Sequence, residues 1–238
     1  MKIHPLAPLA AVVLITPALA LFGGSPSPAA GRDWREASAL INWKVGNKWT
    51  YTVSMPDTPD VSSTIEAVRT FRNDEGTVLE YLNTTTTAGG NQVKNYQYQM
   101  LGRDGIFLVY NASMEVDRPG YGDREKGPII PATLDPEHKW KWDEPFHGQT
   151  MAGNAPGQAP PAPSVCSGQV VSRTATVTTP MGEKTATVIS VEERRDAWAQ
   201  TTTTWYVEGV GMVRQETKDS EGKPVRTFVL TAFTPAGG

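Results

Sequence analysis

The sequence predicts an all-β protein: a curved antiparallel sheet or incomplete barrel, mainly of meander connectivity, with one short N-terminal helix. Three observations carry this. From Lys48 onward apolar and polar residues alternate with period two, the pattern of a half-buried antiparallel strand. The alternating segments are rich in Thr, with runs at Thr84 to Thr87 and Thr201 to Thr204, and β-branched residues suit strands better than helices. Turn residues with Gly, Asn or Asp punctuate the segments where hairpins need a positive φ.

Taken in order, Asp33 to Trp43 is the helical segment, with Asp33 as N-cap and Trp34, Ala37 and Leu40 on one face. Trp49, Tyr51 and Val53 then share one face of a strand while Lys48, Thr50 and Thr52 share the other. Ile65, Ala67 and Phe71 repeat the pattern, with Arg69 as the exception. Strands are predicted at 48–55, 61–72, 77–86, 92–101, 105–112, 138–143, 168–178, 183–193, 198–207, 211–218 and 224–233. Turns at Asn73 to Gly76, Gly89 to Asn91, Gly102 to Gly105, Pro180 to Gly182 and Asp219 to Gly222 join neighbouring strands. The segment 105–110 is apolar on both faces, which places it in the middle of the architecture.

The ends and one internal stretch depart from this pattern. Residues 1–20 combine Lys2, an apolar run from Leu6 to Leu21 and small residues at Ala18 and Ala20, the make-up of a cleaved secretory signal peptide. Residues 21–32 form a Gly/Ser/Pro linker, and 33–238 a single β-rich domain. A Pro/Ala-rich stretch, 148–164, is a linker or a long surface loop, and it separates segments 40–147 and 165–234. Those halves echo each other weakly: Asn47 to Tyr51 resembles His138 to Trp142, and Gly105 to Val109 resembles Gly209 to Val213.

Composition and motifs exclude several functions. The formal charge of −3 becomes −4 once Lys2 leaves with the signal, which argues against a nucleic-acid partner. One Cys excludes an internal disulfide framework and a Cys-rich metal site. Because that residue is Cys166 and not a neighbour of Ala20, a lipid anchor is excluded too. His138 and His147 make no zinc signature, and no phosphate-binding Gly loop occurs, so neither metal nor cofactor is expected. Paired carboxylates at Asp135/Glu137, Asp143/Glu144 and Glu192/Glu193 have the spacing a glycosidase could use, but they read as solvated turns, with Glu192 to Asp196 a charged hairpin tip.

Aromatic residues remain. Trp140 and Trp142 share a strand face, and Trp205-Tyr206 stands beside Gly209 and Gly211. Such side chains either pack a core or line a concave face that takes a sugar or an acyl chain. Trp205-Tyr206-Val207-Glu208-Gly209-Val210-Gly211-Met212-Val213, with an opening strand through Trp49 and Tyr51, resembles uncharacterised bacterial exported β-sheet proteins. The resemblance implies a curved sheet similar in shape to the half-barrels of periplasmic lipoprotein carriers, and transfers architecture only.

The resulting expectation is a secreted or periplasmic, non-enzymatic binding protein with a concave face for an apolar or amphiphilic ligand. Trp140, Trp142, Trp205 and Tyr206 would line it, with no membrane span after cleavage. The alternatives are an envelope assembly protein that acts by β-strand pairing, and a hydrolase that uses Asp135, Glu137 or His138.

Overall fold

The computed structural model describes residues 34–113, 118–144, 163–195 and 198–237. The signal-like segment, the linker, His147 and nearly all of 148–164 lie outside the described residues. A helix, α1 (Trp34–Ala39), precedes β1 (Lys48–Ser54), β2 (Val61–Arg72), β3 (Thr77–Thr86), β4 (Gln92–Gly102) and β5 (Gly105–Asn111). The short β6 (Tyr121–Arg124) and β7 (Ile130–Pro131) follow, then β8 (Lys139–Glu144) and β9 (Ser164–Thr179). The chain closes with β10 (Gly182–Arg195), β11 (Trp198–Val207), β12 (Gly211–Asp219) and β13 (Pro224–Thr234).

These thirteen strands join one antiparallel sheet that does not close into a barrel. Its order is β6-β5-β4-β3-β2-β1-β13-β12-β11-β10-β9-β8, with β7 beside β5. Each arm is a meander, and the first and last strands of the chain meet in the centre through the register Trp49 opposite Phe233. The two strands without a sequence signal are the short ones: β6 is polar, and β7 is two residues ending in Pro131. Too short for a period, they are held by contacts with β5.

Alternation on β1 turns into burial, with Trp49, Tyr51 and Val53 all inside. They form the main core with Leu79, Tyr81, Phe228 and Leu230. A second cluster joins the two ends of the sheet: Ile106 and Ile130 from one end meet Val170, Ile189 and Tyr206 from the other, and Ala37, Leu40 and Ile41 plug the space between. The helix is shorter than 33–43 because the chain tightens at Leu40 and Ile41, whose N–H groups bond back to Ala37 and Ser38. Strand β5 is covered on both faces, since Phe107 and Val109 enter a third cluster with Val78, Tyr98 and Met100. It sits between packed layers as expected, one strand from the sheet edge: Ile106 enters the second cluster on one face, and the Arg124 guanidinium lies 4.4 Å from the Phe107 ring centre on the other.

Candidate functional site

The sheet end formed by β8 to β11 carries most of the polar chemistry. Directly paired residues of antiparallel strands share a face. The register therefore lines up Trp142, Cys166, Glu193 and Gln200 on the inner face, with Glu144 and Ser164 in the next inner position. On the outer face it lines up Lys141, Ser167, Glu192 and Thr201, with Lys139, Gln169 and Ser190 beside them.

The inner row is a buried polar nest. Glu125, Glu144 and Glu193 are 1 %, 0 % and 3 % exposed, and Cys166 is fully buried. Ser164 Oγ donates to Glu193 Oε1 at 2.7 Å, Gln200 donates to Glu193 Oε2 at 3.2 Å, and Arg195 donates to Ser164 Oγ at 2.7 Å. Glu144 Oε2 accepts the backbone N–H of Lys126 at 3.1 Å. The Tyr110 hydroxyl interacts with both Glu125 and Glu144. Burial pushes all three carboxyls up: Glu144 rises to about 8, and Glu125 stands well above the ordinary range, with Glu144 and Glu193 as additional repulsive neighbours. Burial and the same three carboxyls push the Cys166 thiol up, so it stays protonated and weakly nucleophilic. Among the described residues no group of three or more His, Cys, Asp and Glu is placed to hold a metal ion.

Glu144 and Glu193 are therefore not in solvated turns. β8 runs through Glu144 and β10 through Arg195, so what reads as a charged hairpin tip at Glu192 to Asp196 is strand as far as Arg195. The misreading has a simple cause: inward positions continue to the strand end, where period-two alternation places Glu instead of an apolar residue. Glu125, just after β6, carries no sequence signal at all. Asp135 and Glu137 do lie in an exposed turn, where Asp135 Oδ1 accepts the Glu137 N–H at 3.0 Å.

The four aromatic candidates separate. His138, Trp140 and Trp142 form a ladder of near-parallel rings, with centroid spacings of 5.6 and 6.3 Å. Trp140 lies over Gly168, its cross-strand partner, and donates its indole N–H to Pro128 O at 3.0 Å. Trp142 lies over Gly127, where an added Cβ would stand 2.2 Å from the ring. Tyr206 is in the cluster against which Trp140 packs. Trp205 packs on the main core instead, with the Arg214 guanidinium 5.4 Å from its ring centre. The fold thus brings Trp140 and Tyr206 together, stacks Trp142 behind Trp140, and leaves Trp205 apart. The glycine turn after Tyr206 is built as its residues require: Gly209 and Gly211 have φ of +72° and +107°, and Trp49 donates its indole N–H to Val210 O at 2.6 Å.

The outer row forms an open groove of about 470 Å3 lined by Lys139, Trp140, Lys141, Ser167, Gly168, Gln169, Ser190, Glu192 and Thr201, so one of the four aromatic candidates, Trp140, borders it. Arg194 donates twice to Glu192 Oε1, at 2.9 and 2.6 Å, and so neutralises it. Neither Lys139 nor Lys141 has an ion-pair partner among the described residues. Val165 and Val171, 51 % and 50 % exposed, bracket Ser167 and Gln169 on β9.

Among curated proteins, none matches the chain. Two solved structures are similar in fold. A candidate lipoprotein from Parabacteroides distasonis has a TM-score of 0.50 at 14 % identity, over 82 % of this chain and 98 % of its own. A candidate exported protein with a YmcC-like fold from Bacteroides fragilis has a TM-score of 0.48 at 12 % identity, over 81 % of this chain and 97 % of its own. No described helix is long and apolar enough to cross a membrane. A family model matches residues 42–230, nearly all of the described sheet, and the chain accordingly belongs to the DUF3108-like family.

Proposed function

We propose that this chain is an exported, non-enzymatic binding protein that takes a ligand with an acidic head and an apolar part in the outer groove of β8 to β11. The observation that carries the proposal is the pair Lys139 and Lys141, two ammonium groups without a carboxylate partner among the described residues, on a chain of net negative charge. Hydroxyl and amide groups of Ser167, Gln169, Ser190 and Thr201 stand beside them, and Val165 and Val171 offer apolar contact at both ends. A charged head held by fixed donors, with apolar surface alongside, suits an amphiphile. Tyr206 is buried in the core, while Trp140, partly buried against the same cluster, also borders the groove.

Export is supported by the signal-like residues 1–20 and by the fold shared with a candidate lipoprotein; the periplasm or the exterior is the proposed location. The nest itself offers no accessible catalytic group, since its carboxyls are at most 3 % exposed and its thiol is fully buried.

The test is titration of the full chain with dodecyl phosphate and, separately, dodecyl maltoside, each below its micelle concentration. The phosphate is expected to bind, and the K139A/K141A variant to bind about tenfold more weakly, a loss of ~1.4 kcal/mol. Equal affinity of the variant, or no binding of dodecyl phosphate, refutes the groove. A second reading, strand pairing with an envelope partner, draws on β8, which has a ladder neighbour on one side only. A photo-crosslinker at Lys141 that captures a strand of another envelope protein would favour it.

A further inference from the structure

The outer groove holds one group that an acidic ligand head alone leaves unused. Across β8, β9 and β10 the register aligns Lys141, Ser167 and Glu192, with Thr201 next in the row on β11. Neighbouring strands stand about 4.8 Å apart, so the backbones of Lys141 and Glu192 are roughly 10 Å from each other, with Ser167 between them. Lys139, Gln169 and Ser190 make a second row beside the first. Beyond Thr201 the first row continues to Lys218, which already pairs with Glu216 at 3.7 Å. Lys139 and Lys141, without an ion-pair partner among the described residues, therefore form the β8 bank of the groove, and the acid stands on the other.

Glu192 is a carboxylate in a groove that otherwise suits an anion, and its surroundings reconcile the two. Arg194 donates through Nε and Nη2 to the same oxygen, Oε1, and so offsets the charge. The second oxygen, Oε2, has no hydrogen-bond partner among the described residues. An ionised carboxylate only accepts, so Oε2 needs a donor from the ligand. An ammonium on the ligand would be repelled by Lys139, Lys141 and Arg194, whereas a hydroxyl donates without adding charge. Ser167, Gln169 and Thr201 line the same groove with side chains that make no hydrogen bond among the described residues. Each can both donate and accept, as the hydroxyls of a polyol do.

We propose that the head this groove recognises is a phosphorylated polyol, in its smallest form a phosphoglycerol: the phosphate lies at Lys139 and Lys141, and a hydroxyl of the polyol donates to Glu192 Oε2. The remaining polyol oxygens exchange hydrogen bonds with Ser167, Gln169 and Thr201. A Lys side chain reaches over the strand between the two banks and a Glu side chain does so from the other side, so a small head closes the gap between them. Glu192 is then the residue that selects the head, while the two lysines supply the attraction to its acid. The inference rests on the reading of the groove as a site for an acidic amphiphile and names which head it prefers.

Two phosphodiesters of equal charge and chain length test it on the full chain, each below its micelle concentration: dodecyl phosphoglycerol, and dodecyl propyl phosphate, which lacks the glycerol hydroxyls. The glycerol compound is expected to bind about tenfold more tightly, the effect of one hydrogen bond to a charged group. In E192A that ratio is expected to fall to about one, while K139A/K141A weakens both compounds. Equal affinity of the unmodified chain for the two diesters, both weakened in K139A/K141A, overturns this inference and leaves the amphiphile reading standing. Binding of neither overturns both. An E192A chain that folds and keeps the full ratio overturns the assignment to Glu192, and dodecyl phosphoethanolamine that binds as tightly as the glycerol compound overturns the choice of a hydroxyl. Glycerol 3-phosphate, the head without the chain, is expected to bind at least about tenfold more weakly than dodecyl phosphoglycerol; equal affinity overturns an amphiphile as its source.

Discussion

Replacement of Glu144 by Gln isolates the cost of an ionisable group in the nest. Glu144 is fully buried, and its carboxyl is raised from 4.5 to about 8. The folded state therefore holds its proton more tightly than the unfolded chain does. Stability from this group is complete below about pH 4.5 and is lost as pH rises through the window up to about 8. Every tenfold difference in proton affinity between the two states corresponds to ~1.36 kcal/mol, so the full loss across that window is on the order of 5 kcal/mol. Glu125 and Glu193 are raised in the same direction and add to the slope. A Gln amide oxygen can still accept the Lys126 N–H, so E144Q keeps that bond and drops the titration. Urea denaturation at pH 5 and pH 8 measures the outcome. E144Q is expected to match the parent at pH 5 and to exceed it by several kcal/mol at pH 8. An E144Q deficit that is the same at both values would show that Glu144 is not a buried acid, and the reasoning would fall.

Two further predictions concern packing around the same sheet end. In G168A the new Cβ would stand 2.1 Å from the Trp140 ring, so the indole must leave its place and lose its bond to Pro128. A loss of roughly 1–3 kcal/mol and a changed near-UV circular dichroism spectrum are expected; G89A, where the nearest atom is 3.9 Å away, serves as the control. R195A removes the guanidinium beside buried Glu193 and is expected to cost about 3–5 kcal/mol in chemical denaturation at neutral pH. The E193Q/R195A double variant should recover part of that loss, and failure to recover any would assign it to packing instead of charge.

The fold was legible where side chains alternate over enough residues to average out exceptions. Trp49, Tyr51 and Val53 point inward as their spacing requires, and Phe228 and Leu230 do so on β13. The boundaries of β9 and β10 were less legible, since polar residues occupy inward positions at their ends, and β6 and β7 are too short to show a period. For the candidate site, the sequence marked Trp140 and Trp142 as one face of a strand, which they are. It could not show that Gly168 and Gly127 are the surfaces on which they lie, because Gly127 comes from the opposite edge of the sheet.

Alternation, β-branched residues and turn glycines determined by themselves that this chain forms an antiparallel sheet, because strand pairing reads local side-chain pattern. Which strands become neighbours was decided only by tertiary structure. The pairing of β1 with β13 curls the sheet until its ends meet around α1. That meeting turns three glutamates from distant points of the chain, ordinary surface residues by their local context, into a buried nest. A carboxyl owes its charge state to what surrounds it in space, and a linear sequence does not carry that information.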